Sequence, residues 1–211
     1  MLITRPNHDM TTNYLYYWSQ KLIDFATRRS IRVVDLAKKR ANAKEFASVV
    51  KKVRPPLIVI NGHGNSSMVT GCDDEPLVIA GKNDGLLNRT IVYARSCRSG
   101  EKLGPASVKS GCRAYIGYND DFVFVTEDDK STHPLKDETA KLFIEPSNYV
   151  VISLLKRHTA GEANSRSKSL LKQNIQRLMV SAASKEESNM IPYLLWNYSH
   201  QVCLGNSKAT I

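Results

Sequence analysis

Very little in this 211-residue chain could serve as a covalent cross-link or a membrane anchor. Its four cysteines, Cys72, Cys97, Cys112 and Cys203, include no C-x-x-C pair, and its five histidines are scattered. So sparse a set excludes a disulfide framework at this length and gives a structural zinc site little support. No apolar run approaches the ~20 residues that a membrane-spanning helix needs, and residues 1–5 carry only a short apolar stretch. The expectation is a reduced, cytoplasmic setting with no membrane partner. Internal repeats, low-complexity tracts and linkers are missing too, so residues 1–211 read as one domain with a poorly ordered tail at 205–211.

What is there is a sizeable apolar content and a strong positive charge. Hydrophobic residues make up 42% of the chain, enough for one substantial core. The formal charge of +10 suits an acidic partner, because clustered Lys and Arg attract polyanions. Its distribution argues for something blander. Residues 1–56 hold twelve Lys/Arg against four Asp/Glu, but Arg28, Arg29, Lys38, Lys39, Arg40, Lys51 and Lys52 spread over helix surfaces as a solvated face would. Nucleic acid is accordingly the weaker partner reading.

Strand-like and helix-like segments alternate through the first half, the pattern of a mostly parallel sheet flanked by helices. Strands are expected at residues 2–4, 31–36, 57–60, 91–94 and 114–118. Helices are expected from Thr11 or Thr12 to about residue 29, and over 43–53, where Arg54-Pro55-Pro56 forbids continuation. Residues 68–70 and 77–79 read as a small hairpin beyond the sheet edge, and 103–110 as a short helix closed by Gly111. An acidic loop follows, from Asn119-Asp120-Asp121 to Glu127-Asp128-Asp129. Helices over 135–144, 148–156 and 161–183 and a final strand or hairpin over 193–204 complete the α/β chain.

Two consecutive buried strands end in unusual loops. Leu57-Ile58-Val59-Ile60 stops at Asn61-Gly62-His63-Gly64, and Ile91-Val92-Tyr93-Ala94 stops at Arg95-Ser96-Cys97-Arg98-Ser99-Gly100. In a parallel sheet the carboxyl ends of neighbouring strands share one edge, where open α/β folds place their sites. His63 and Cys97 are thereby expected to meet. A thiol needs its proton removed to become a strong nucleophile, and an imidazole is the commonest side chain for that task. Glycines on both sides of His63 let the chain turn tightly, and the Gly64 and Cys97 amides could hold an oxyanion. Alone, each residue has an ordinary explanation: a cysteine after a strand is usually a small buried hydrophobe, and a histidine in a glycine-rich loop a turn residue. Ser96 and Ser99 lie in no G-x-S-x-G elbow, and Cys112 is read as buried. His8 with Asp9, and His133, His158 and His200, have no partner legible in the sequence.

At these residues the chain resembles the superfamily of caspases, metacaspases, legumain, gingipains, clostripain, separase and the CHAT-domain peptidases. The resemblance rests on the strand–Asn61-Gly62-His63-Gly64 unit and the strand ending Ala94-Arg95-Ser96-Cys97, followed by Ser99-Gly100. It takes in Ile3-Thr4-Arg5-Pro6, Gly117-Tyr118 and Trp196-Asn197 as well, most of the chain's length. It implies a caspase-like three-layer α/β sandwich and a cysteine endopeptidase. Peptide bonds would be cut through an acyl-thiol intermediate, with no metal or cofactor in the chemistry. His63 matches the catalytic histidine, Cys97 the nucleophile, and Gly64 the glycine whose amide helps hold the oxyanion.

The position two before the cysteine often lines the specificity pocket in that superfamily, and here it is Arg95, which suits an acidic or neutral residue before the cleaved bond. Asp120 and Asp121 point the other way, toward a basic residue, unless one of them pairs with Arg95. The expected partners are a protein or peptide substrate and a regulatory protein or dimer contact. A catalytically silent module that binds protein or nucleic acid through its basic surface is the alternative. A nucleotide-phosphate site at Gly62–Gly64 lacks any G-x-G-x-x-G or Walker pattern.

Overall fold

The computed structural model describes residues 1–180 and 188–211. In chain order, the first half contains β1 (Leu2–Arg5), α1 (Met10–Thr27), β2 (Val34–Ala37), α2 (Ala43–Val53), β3 (Leu57–Asn61), β4 (Gly64–Asn65), β5 (Met68–Thr70), β6 (Pro76–Ile79) and β7 (Ile91–Arg95). The second half contains α3 (Leu103–Lys109), β8 (Ala114–Tyr118), α4 (Glu138–Leu155), α5 (Ala160–Val180), α6 (Ile191–His200) and β9 (Gln201–Gly205). Six strands form the central sheet in the order β2-β1-β3-β7-β8-β9, all pairs parallel except β8 with β9. The chain is therefore α/β with a mostly parallel sheet, and β4, β5 and β6 form the separate antiparallel hairpin sheet anticipated outside it.

Alternation along each strand explains why these apolar runs are continuous. Ile3, Leu57, Val59, Ile91, Tyr93 and Ile116 point to one face and join Leu15, Leu22, Val150 and Leu154 from α1 and α4. Leu2, Ile58, Ile60, Val92, Ala94 and Tyr115 point to the other and join Phe46, Val50 and Leu103 from α2 and α3. A strand buried on both faces has no polar side to show. A third cluster ties Tyr14 and Trp18 of α1 to Phe143, Leu171, Ile175 and Leu194 of the later helices.

The structure departs from the sequence reading in several places, each with a local cause. Helix α1 is capped by Asp9 rather than by a threonine: its carboxylate accepts from Thr12 N at 2.7 Å, and the Thr12 hydroxyl bonds back to the Asp9 amide, a reciprocal capping box. The two helices expected at 135–144 and 148–156 are one, with Pro146 inside it. Proline removes the amide that would bond the Leu142 carbonyl, and Asn174 of α5 donates to that carbonyl at 2.8 Å instead. Positions 181–183 of the third expected helix lie outside the described residues.

The closing strand expected over 193–204 is mostly helix α6, with only Gln201–Gly205 in the sheet. Pro192 sits in the first turn of α6, where its missing amide is harmless, and Leu194 and Asn197, three apart, face inward. Asn197 holds Val123 through a pair of hydrogen bonds, accepting at 3.0 Å and donating at 2.5 Å. The segment expected to be a loose tail is docked: Ala209 is buried and its carbonyl accepts from Ala160 at 2.9 Å. Among the described residues no helix is long and apolar enough to cross a membrane.

Candidate active site

Strands β1, β3, β7 and β8 run in the same direction, so the loops after them open at one edge of the sheet. These loops carry His8 and Asp9, then His63, then Cys97, then Asp120 and Asp121. Register aligns the two central ones: Asn61 is paired with Arg95, so Gly62 and Ser96 leave the sheet at the same level. The Ser96 hydroxyl donates to the Gly62 carbonyl at 2.9 Å, stitching the loops together. Gly62 has φ +151, and an added Cβ would lie 2.3 Å from the Thr70 carbonyl oxygen, so glycine is required there. At Gly64 an added Cβ would meet the Met68 carbonyl oxygen at 2.7 Å and the Ser96 Cβ at 3.0 Å. The backbones around His63 and Cys97 are thus in direct contact.

A carboxylate stands beside each of these two side chains. His63 bonds Asp9 Oδ2 through Nε2 at 2.5 Å, both side chains being roughly one-third exposed. A carboxylate can only accept, so Nε2 carries a proton, and in the neutral ring Nδ1 keeps its lone pair. Burial opposes ionisation of Asp9. The amide and hydroxyl of Thr12 and the His63 ring together outweigh it, and the carboxyl lies below its usual range. Cys97 is half-buried, and its thiol meets the Asp121 carboxylate and the Phe122 amide. Burial pushes the Cys97 thiol up; the Phe122 amide, the next effect in size, opposes it, and the Asp121 carboxylate adds to the rise. Among the described residues no hydrogen bond joins His63 to Cys97. At rest the cysteine is a neutral thiol rather than half of an ion pair.

Two backbone amides lie near this point, those of Gly64 and Cys97. Thr70 N donates to the His63 carbonyl at 2.9 Å, which makes that pair the hydrogen-bonded one. The neighbouring Gly64–Val69 pair is then of the non-hydrogen-bonded kind, and the Gly64 amide points away from β5. The Cys97 amide has no backbone partner among the described residues.

Arg95, expected at the specificity pocket, is fully buried. Its Nε donates to Asn61 at 2.7 Å, one terminal nitrogen to Asn148 at 2.6 Å, and the other to Ser19 at 2.7 Å. These bonds bind β7 to β3, α4 and α1 beneath the site. Pairing with Asp120 or Asp121 is also absent from these contacts. Asp120 accepts from the Arg98 amide through its carbonyl and from the Asp121 amide through its side chain, at 2.9 and 2.8 Å. It thereby shapes the loop that presents Asp121 to Cys97. Cys112, read as buried, is so, and burial pushes its thiol up to about 12.

Sequence reasoning missed Asp9 as the partner of His63. A signal was available: β1 ends on the same edge, and His8-Asp9 follows it immediately. Asp9 also reads as an N-cap with Thr12 three residues on, which fixes its position at the mouth. Comparison with family models and with curated proteins gives no match for this chain.

Proposed function

We propose that this chain is a cysteine endopeptidase of the caspase-like kind, a three-layer α/β domain that cleaves protein substrates through Cys97 and His63. Asp9 fixes the ring and its tautomer, which leaves Nδ1 as the base that takes the Cys97 proton as the sulfur attacks. The electron pair of the carbonyl moves to oxygen, toward the Gly64 and Cys97 amides. The imidazolium then returns the proton to the leaving amine as the C–N bond breaks, and water hydrolyses the acyl-thiol by the reverse sequence. A neutral resting thiol is compatible with this sequence, because deprotonation accompanies attack.

The observation that carries the reading is the convergence of three parallel strand ends, with an Asp9–His63 pair on a loop stitched to the loop of Cys97. With Arg95 buried, Asp121 is the charge beside the nucleophile, and it supports preference for a basic residue before the scissile bond. The test is a peptide library screened with wild type, Cys97→Ala and His63→Ala. Dyad-dependent cleavage is expected, and cleavage that survives both substitutions ends the proposal.

A silent binding module is the second reading, favoured by the raised Cys97 thiol and by a cleft of about 650 Å³ bordered by Lys51, Arg54 and Arg89. A steep fall of nucleic-acid binding with salt, with no cleavage of any peptide, would support it.

A further inference from the structure

A second set of ligating groups surrounds His63. His8, in the loop after β1, places its ring 6.0 Å from that of His63, edge to face. Its Nε2 lies 3.6 Å from Asp74 Oδ1 and 3.8 Å from Asp9 Oδ2. Asp74 belongs to the turn between β5 and β6, and the Thr70 hydroxyl steadies the same oxygen at 3.3 Å. One ligand atom each from His8, His63 and Asp74 falls within 4.8 Å of the other two. His8 belongs to a second such group with Cys72 and Asp73.

The independent observation concerns His8. Its side chain is only 14% exposed, and neither ring nitrogen has a hydrogen-bond partner among the described residues. A screened imidazole with no hydrogen bond is unfavourable, since polar groups withdrawn from water are normally satisfied. Two imidazoles and a carboxylate are the donor set that zinc takes when it keeps one position open. Tetrahedral zinc at about 2.0–2.1 Å from its ligands sets neighbouring donors about 3.4 Å apart, close to the 3.6 Å between His8 and Asp74.

We propose that His8, His63 and Asp74 form a zinc site whose occupation takes His63 away from the peptidase chemistry. The ion must displace Asp9 if it binds His63 Nε2, and it occupies the base itself if it binds Nδ1. Either way the imidazole cannot accept the Cys97 proton. The inhibitory consequence rests on the peptidase reading, whereas the site itself does not.

The experiment therefore separates the two. Zinc binding to the full chain is measured by competition with a chromogenic chelator, using wild type, Cys97→Ala, Cys97→Ala/His8→Ala and Cys97→Ala/Asp74→Asn. Asp74 is 59% exposed, so its substitution leaves the fold intact even if loss of His8 disturbs it. One zinc per chain is expected in wild type and in Cys97→Ala, weakened at least tenfold by either second substitution. On a cleaved peptide, zinc should inhibit wild type, while Asp74→Asn keeps its basal rate and resists the ion. Binding unaffected by both second substitutions, or no binding at all, overturns the proposal. An inactive wild type that still binds zinc through His8 and Asp74 removes the peptidase reading and leaves the site standing.

Discussion

Replacing Asp9 by asparagine tests the arrangement most directly, because it separates two jobs that one carboxylate performs. As N-cap of α1, Asp9 accepts from Thr12 N at 2.7 Å, and asparagine caps about as well as aspartate. As partner of His63 it supplies a negative charge and accepts the Nε2 proton. Asparagine has no charge, and its amide can donate to Nε2, which would move the ring proton to Nδ1 and block the base. A hydrogen bond to a charged group contributes about 1.5–3 kcal/mol. At 1.36 kcal/mol per decade, its loss in the transition state lowers kcat/KM by roughly ten- to 150-fold.

The assay pairs kcat/KM on a cleaved peptide with urea unfolding of the same samples. Asp9→Asn should lose the activity with stability changed by less than about 0.5 kcal/mol, while Asp9→Ala should lose activity and about 1 kcal/mol of stability as well. Full activity in Asp9→Asn would refute the assignment of Asp9 to His63. A loss of activity matched by a loss of stability would refute the separation of roles.

Two further expectations follow from the charges around the site. Burial and the Asp121 carboxylate both disfavour the Cys97 thiolate, so removing that charge in Asp121→Asn should bring the thiol down. The rising limb of kcat/KM against pH should then move to lower pH, and preference for a basic residue before the cleaved bond should weaken. An unmoved limb would show that Asp121 does not face the thiol. Arg95→Met should leave that preference unchanged among the molecules that fold. It should cost about 3 kcal/mol in urea unfolding, because the oxygens of Asn61, Asn148 and Ser19 lose their buried donor. A shift in preference would return Arg95 to the substrate.

The sheet was legible because its strands bury both faces and so read as unbroken apolar runs. Leu57-Ile58-Val59-Ile60 and Ile91-Val92-Tyr93-Ala94 could hardly be anything else, and their special loops pointed to one edge. Helix α6 was not legible: Tyr193, Trp196 and Tyr198 favour strands by propensity, whereas the inward spacing of Leu194 and Asn197 decides for a helix. Pro146 concealed the continuity of α4, since the Asn174 side chain that takes over the freed carbonyl lies 28 residues away in sequence. The pairing of Asp9 with His63 spans 54 residues and depends on β1 lying beside β3, so the His8-Asp9 step after β1 becomes a signal only once that adjacency is known. Arg95 misled for a related reason. A guanidinium two residues before Cys97 looks like a pocket residue until three neutral side chains from three other elements are found to bond it.

The two carboxylates at the site act in opposite senses, and together they define its resting state. Asp9 holds a protonated Nε2 on His63 and, in the proposed mechanism, leaves the other nitrogen to act as the base. Burial is the main reason that the Cys97 thiol is raised, and Asp121 adds to it by disfavouring the thiolate. A cationic side chain arriving beside Asp121 would neutralise the charge that holds the sulfur back, lowering the cost of the thiolate in the complex relative to the free protein. Recognition and activation would then be one electrostatic event. The same substrate group that satisfies Asp121 would free the sulfur for attack, and a chain without such a substrate would keep an unreactive thiol.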